Sequence, residues 1–301
     1  MKFYVFSFNR AEFLANCVDS IARCAPDCRV AVYDDASTDD ATRRVLDALA
    51  RDHEVVVRDH DSRHKLGGLY ANMQAAYEAG LAGGEDTVCF VQDDMQLVRP
   101  ITPTDHAAIA QYFAARPRAG FLLPQFDKGR PRRRDPERLR FDPDSGSYIR
   151  AERRQGAGIH YADVAITQLS RLRAHDWRFR EGEPANQRQA AMHFESLGTL
   201  FAPFLMWLPN GPAYRGKRKT RALRIAEERR ACGFFPFADM TGDGIAALRG
   251  RDPEVLPTAE QFLRTRDDAL PPPWTYDPLE GLSWLKKRNN FELWMRRTLR
   301  R

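Results

Sequence analysis

The chain has 301 residues, 43% of them apolar and 29% charged, with a formal net charge of +6 at neutral pH. These fractions belong to a soluble globular protein able to bury a substantial core. No segment approaches the ~18 uninterrupted apolar residues of a membrane span, and the opening run KFYVFSF lacks a signal peptide's cleavage region, so a spanning or exported chain is not expected.

Cys17, Cys24, Cys28, Cys89 and Cys232 form an odd set without paired CxxC spacing. Neither a zinc site nor a disulfide framework is indicated, and a reduced, cytoplasmic compartment is expected. The positive balance, mostly Arg, is compatible with nucleic acid, anionic lipid or phosphorylated small molecules and by itself selects none of them.

From residue 3 the chain alternates strand-like and helix-like runs. Phe3 to Phe8 is nearly all apolar, as in a strand covered on both faces. In NRAEFLANCVDSIARC, Phe13, Leu14, Cys17, Val18 and Ile21 recur at helical spacing. RVAVYDD reads as a second strand. Ser37 or Thr38 can cap the helix after it, where Val45, Leu46 and Leu49 share a face. HEVVVRD is a third strand, GGLYANMQAAYEAGLA a third helix and DTVCFVQDD a fourth strand. This alternation predicts a parallel sheet with helices packed on its faces.

Parallel strands deliver their carboxyl ends to one edge, so Asn9, the pair Asp34 and Asp35, and the pair Asp93 and Asp94 should converge there. Ligands of open parallel sheets bind at that edge, where strand order reverses. Each Asp taken singly can be a helix cap or turn residue. Two like charges at a strand end are nevertheless costly unless a cation or donor groups neutralise them, and a divalent metal is the simplest neutraliser. The first loop, SFNRAEF, has no GxGxxG, and GxxxxGK[ST] is absent from the chain. A nucleotide's diphosphate must then be met by other means, such as Mg2+ or Mn2+ held by one or two carboxylates.

In order and spacing, FYVFSFNRAEFLANCVDSI, VAVYDDASTDDAT, LGGLYANMQAAYEAG and VCFVQDDMQLV resemble the nucleotide-binding half of family 2 glycosyltransferases with the GT-A fold. The likeness is close over residues 2 to 100 and looser over 155 to 200. It implies an α/β, Rossmann-like, mostly parallel sheet with helices on both faces. It also implies that Phe8 and Asn9 lie beside the nucleobase and that Asp35 holds the base or ribose. Asp93 and Asp94 take the position of the family's DxD-type motif, with Asp94 as metal ligand and Asp93 nearer the ribose and donor sugar. This copy reads QDDM, with Gln92 and Met95 where further carboxylates often stand. Lys65 or Arg63, before Gly67, can supplement the metal as a phosphate contact.

Sugar transfer also needs a base for the acceptor hydroxyl. Asp163 sits just before an apolar helical pattern, where the resemblance places residues facing donor and acceptor, or where an Asp would cap that helix. Glu183 precedes a helix much as the acidic residue of the family's ED-type loop does, or complements that helix's dipole. Either can be the base. Glu195 and His193 fit structural roles better. Residues 127 to 147, DKGRPRRRDPERLRFDPDSGS, read as a long mobile loop in which Arg132 to Arg134 can meet phosphate or solvent.

A boundary near residue 212 divides a catalytic domain (1–212, nucleotide half 1–100 and acceptor half 101–212) from a basic, mainly helical extension (213–301). In the extension, YRGKRKTRALRIAEERR reads as a helix and TGDGIAALRGRDPEVLP as turns. In the tail, residues 281–301, Trp284, Leu285, Phe291, Trp294, Met295 and Leu299 can share a helical face ringed by Lys and Arg. That face suits an anionic membrane interface, the protein's own surface or a partner.

The expected activity is transfer of a sugar from a nucleotide-diphosphate donor of the UDP-sugar class to a glycan or lipid-linked acceptor, inverting and metal-assisted. The enzyme would be cytoplasmic, with peripheral contact at the inner face of the membrane and no nucleic-acid partner. A sugar nucleotidyltransferase and a catalytically degenerate GT-A binding module are the alternatives.

Overall fold

The computed structural model describes residues 1–58, 68–129, 139–150, 158–213 and 219–298. Arg63, Lys65 and Arg132 to Arg134 lie outside them. The expected alternation opens the chain as β1 (Lys2–Ser7), α1 (Ala11–Cys24), β2 (Arg29–Asp34), α2 (Asp40–Leu49), β3 (Glu54–Val57), α3 (Leu69–Ala82) and β4 (Thr87–Gln92). There follow β5 (Met95–Leu97), α4 (Pro103–Ala115), β6 (Phe121–Leu123), β7 (Leu139–Asp142), β8 (Ser147–Arg150) and β9 (Ala165–Gln168). Next come α5 (Leu169–Arg173), α6 (Glu183–His193), β10 (Gly198–Leu200) and β11 (Leu205–Trp207). The C-terminal helices are α7 (Arg221–Arg229), α8 (Gly242–Gly250), α9 (Ala259–Phe262) and α10 (Ser283–Thr298).

Among the described residues, nine strands form one sheet in the order β3-β2-β1-β4-β9-β6-β10-β8-β7, and β5 pairs with β11 in a second. The strands share one direction except β8 and β9, which run antiparallel to their neighbours. Successive side chains of a strand point to opposite faces, and here both faces are covered. Phe3, Val5, Val30, Val32, Cys89 and Val91 pack with α1, α2 and α4 on one side. Tyr4, Phe6, Ala31, Tyr33, Val88 and Phe90 pack with α3, α5 and α6 on the other. The expected mostly parallel α/β sheet with helices on both faces is thus what the chain forms.

Four local expectations are corrected. The cap of α2 is Asp39, whose carboxylate accepts from Thr42 N at 2.8 Å, because Ser37 and Thr38 are committed to Asp34 and Asn9 across the sheet edge. Of the loop expected over 127–147, residues 139–147 belong instead to the antiparallel hairpin of β7 and β8, turned at Gly146 (φ 61°) and faced by the ring contacts of Phe141 with Tyr148 and Phe201. Asp163 is followed by strand β9 rather than a helix, so it caps nothing, and the short α5 begins after Gln168. The stretch after Met240 holds a helix, α8, which Thr241 caps by accepting from Gly244 N.

The C-terminal residues pack back on the sheet: Phe237, Leu248, Ala259 and Trp274 share a core with Phe13, Val98, Phe126 and Met206. Leu285 of α10 is buried against Ala222 and Ala226 of α7. Leu285 therefore faces away from Trp284, Phe291 and Trp294, which are exposed, and the single shared face expected for these residues does not form.

Candidate active site

Strand order reverses between β1 and β4, so their carboxyl ends open a crevice with that of β2. Asp34, fully buried, accepts from Ser7 Oγ (2.7 Å), Ser37 Oγ (2.7 Å) and Ser37 N (2.6 Å). Three donors satisfy this carboxylate, which is a brace between the first two strand ends. Asp35 Oδ2 accepts from Gly68 N at 2.6 Å, tying the end of β2 to the start of α3.

Asn9 holds the first loop to the second. Its Oδ1 accepts from Thr38 N (2.6 Å) and Asp39 N (3.0 Å), and its own N–H donates to Ser37 Oγ (2.8 Å). Asn9 (φ 51°) and Ala36 (φ 54°) both sit in the left-handed region at this edge. Asn tolerates that conformation better than Ala does, and residues held there by their surroundings gather at functional sites.

Sequence reading missed Arg10. Its Nη1 donates to Asp94 Oδ2 (2.7 Å) and, more weakly, toward Asp93 Oδ1 (3.4 Å), while Nη2 donates to the carbonyl of Pro212 (2.7 Å). The guanidinium is largely buried, and among the described residues it is the cation paired with the two carboxylates. Burial is the largest influence on both partners. It raises the Asp93 carboxyl, which Arg10 pulls down and Asp94 pushes up further. Burial works against charge on Arg10, and the two carboxylates reverse that and hold it above its ordinary range. A basic residue beside Asn9, in the loop that topology sends to the carboxylates, was the available signal.

Among the described residues no three His, Cys, Asp or Glu side chains converge on a common metal position. The residues still fit a metal that arrives with a diphosphate, which needs only one or two protein carboxylates. Asp94 Oδ1 is buried and accepts no hydrogen bond, so one acidic oxygen remains for it.

Strand β9 brings the second acidic group to the same edge. Ala165, the first residue of β9, pairs with Phe90 of β4, and Asp163 lies two residues before it, on the side of the sheet where β4 runs on to Asp93 and Asp94. Asp163 Oδ2 accepts from Tyr70 OH at 3.0 Å, while its Oδ1 is buried without a hydrogen-bond partner. Burial raises this carboxyl above its ordinary value, against the nearby Tyr161 and Tyr70 hydroxyls, which favour its charged form. Burial, then the charge of Asp163, in turn raises the Tyr70 phenol, with a smaller contribution from Glu183. Glu183 stands half-buried in the first turn of α6, within electrostatic reach of Tyr70 and Tyr161. Both acidic candidates therefore gather around Tyr70. The other two are structural: Glu195 pairs with Arg116 at 2.7 Å, and His193 stacks on His175.

Solved structures similar to this chain include S. aureus TarS (13% identity, TM-score 0.48, covering 68% of this chain and 36% of that one). Another is the mannosyltransferase PcManGT from Pyrobaculum calidifontis in complex with GDP-Man and Mn2+ (15% identity, TM-score 0.41, 76% and 60% covered). A third is an active-site mutant of LgtC (14% identity, TM-score 0.37, 66% and 72% covered). The chain thus spans little more than a third of the length of TarS. No curated protein matches it. Residues 3–155, half of the chain and every strand end that builds the crevice, match glycosyl transferase family 2, and the protein belongs to that family.

Proposed function

We propose that the protein transfers a sugar from a nucleotide-diphosphate donor of the UDP-sugar class to a hydroxyl of a glycan or lipid-linked acceptor, with inversion. One observation carries this reading: the ends of β2 and β4 bring Asp35, Asp93 and Asp94 to the switch-point edge of a family 2 chain whose first loop has no glycine-rich phosphate cradle, and the approach to β9 carries Asp163 on the neighbouring side of β4. Residues 1–212 would form the catalytic domain, 1–100 taking the nucleotide and 101–212 the acceptor, with 213–301 as an extension.

In this reading Phe8 and Asp35 contact the base and ribose, while Asn9 shapes their loop. Asp93 lies toward the ribose and donor sugar, and Lys65 meets phosphate. Asp94 Oδ1 would hold Mg2+ or Mn2+, which when bound offsets charge on the leaving diphosphate. Arg10 adds a fixed positive charge at the same place. The acceptor oxygen gives its proton to a carboxylate as it bonds to the anomeric carbon, and the electron pair of the breaking bond leaves with the diphosphate.

Asp163 is the favoured base. One of its oxygens is oriented by Tyr70, the other is uncommitted, and its raised basicity suits proton abstraction. Glu183, in the first turn of α6, better suits complementation of the helix terminus.

Calorimetric titration of UDP, GDP and CDP, with Mn2+ and then with EDTA, tests the donor site. Metal-dependent binding of one diphosphate is expected, and Asp94→Asn should weaken it by about tenfold or more with an unchanged circular dichroism spectrum. Equal affinity in the variant would remove Asp94 from the metal. Absence of binding by any diphosphate would favour the binding-module alternative.

A further inference from the structure

We propose that the outer face of α10 is a docking surface for an anionic lipid bilayer. The helix is fixed to the body by its inner face. Leu285 is buried against α7, Asn289 accepts from Thr220 Oγ1 at 2.6 Å, and Glu292 accepts from Arg221 N (2.7 Å) and Ala222 N (3.1 Å), so it caps α7 in trans. The opposite face carries Trp284 (59% exposed), Phe291 (54%), Trp294 (59%) and Met295 (38%), with Phe291 and Trp294 stacked at 5.8 Å. Solvated aromatic rings held in a row on a docked helix are an unpartnered apolar surface.

Charge selects the occupant. Residues 283–301 hold seven Lys and Arg and one acidic residue, Glu292, a positive excess equal to the +6 of the whole chain. That single carboxylate is turned inward to α7 and to Arg288 (3.4 Å), so α10 itself puts no acidic side chain on its exposed face; Lys287 is exposed there, and the exposed Lys286 borders a cleft that also holds Asp277 and Glu280. Tryptophan at the headgroup level flanked by lysine is the chemistry of an interfacial helix on anionic lipid, each basic residue contributing about 1 kcal/mol near the surface. No helix among the described residues is long and apolar enough to cross a membrane, so contact of this kind would be peripheral.

The test is sedimentation of the full chain with vesicles of phosphatidylcholine, alone or with roughly one third phosphatidylglycerol. Binding is expected only to the anionic vesicles and should weaken with salt. The double variant Trp284→Ser/Trp294→Ser and, separately, Lys286→Glu/Lys287→Glu should each weaken it about tenfold or more. All four positions are solvent-facing, and unchanged melting would verify the fold. Vesicles of brominated lipid should quench tryptophan fluorescence far more in the wild type than in the double tryptophan variant, whose remaining Trp177 and Trp274 are buried and whose Trp207 is partly buried with Lys128 over its ring. Equal sedimentation of wild type and both variants would overturn the proposal. So would a wild-type dimer that the tryptophan substitutions dissolve while anionic vesicles bind neither form, which would assign the face to a second copy.

Discussion

Asp163→Asn is expected to lower kcat by roughly 10²–10⁴-fold, the usual contribution of a positioned general base, with little change in affinity for the nucleotide diphosphate. The split follows from geometry. Asp163 enters the edge from β9, on the far side of β4 from the first two strand ends, and shares no hydrogen bond with Asp35, Asp93 or Asp94. Asn keeps the shape and can still accept from Tyr70, so loss of the negative charge is the main change. The pH profile gives a second readout. A base must be deprotonated, and burial holds Asp163 above the ordinary carboxylate range. The acid limb of kcat should therefore fall at a pH above that of a free Asp, near 3.9. Tyr70→Phe removes a donor that favours the carboxylate and should move that limb further upward, with fold and nucleotide affinity retained. If Glu183→Gln abolishes turnover and Asp163→Asn leaves it intact, the base is Glu183.

The strand–helix order of the first hundred residues was legible because strands covered on both faces read as unbroken apolar runs, and α1 and α2 kept a clean 3.6-residue period, whereas α3 is rich in small and apolar residues on every side. Convergence of Asn9, Asp34, Asp35, Asp93 and Asp94 followed from topology alone. What each does at the edge was not legible, since hydrogen bonding between loops far apart in sequence decides it. Asp34 became a brace through Ser7 and Ser37, and Asn9 a tie through Thr38 and Asp39. Arg10 was overlooked because charge neutralisation was sought in a metal rather than in the neighbouring loop. Beyond residue 100 the strands shrink to three or four residues, too short to show a period, and β9 reverses direction. The pattern after Asp163 then read as one helix, whereas a strand carries Asp163 to the site.

Asp105→Asn should destabilise the protein by about 3–5 kcal/mol, the range for leaving the partner of a buried ion pair uncompensated. Arg99 is fully buried, and its guanidinium donates twice to Asp105 (2.8 and 3.0 Å) and onward to the carbonyls of Pro203, Pro100 and Ala202. Asp105 also closes the capping box of α4 through Thr102 and accepts from Arg249 of α8 at 2.9 Å. One carboxylate thus joins the exit of β5, the approach to β11, the start of α4 and the C-terminal extension. Urea unfolding should show a lowered midpoint with an unchanged slope. The pH dependence has a definite sign. Burial alone would raise the Asp105 carboxyl, but Arg99 and the Thr102 hydrogen bonds outweigh it and hold it below its ordinary value. Its contribution is therefore present in full above the unfolded-state value near 3.9 and is lost as pH falls through the lower folded-state one. The gap between wild type and variant should stay constant from neutral pH down to about 5 and close in stronger acid. A loss below about 1 kcal/mol at neutral pH would mean that the carbonyls alone satisfy Arg99, and would reduce Asp105 to a helix cap. A loss in the expected range would identify this pair as what holds β5, and with it the Asp93–Asp94 turn immediately before that strand, in register with the second half of the molecule.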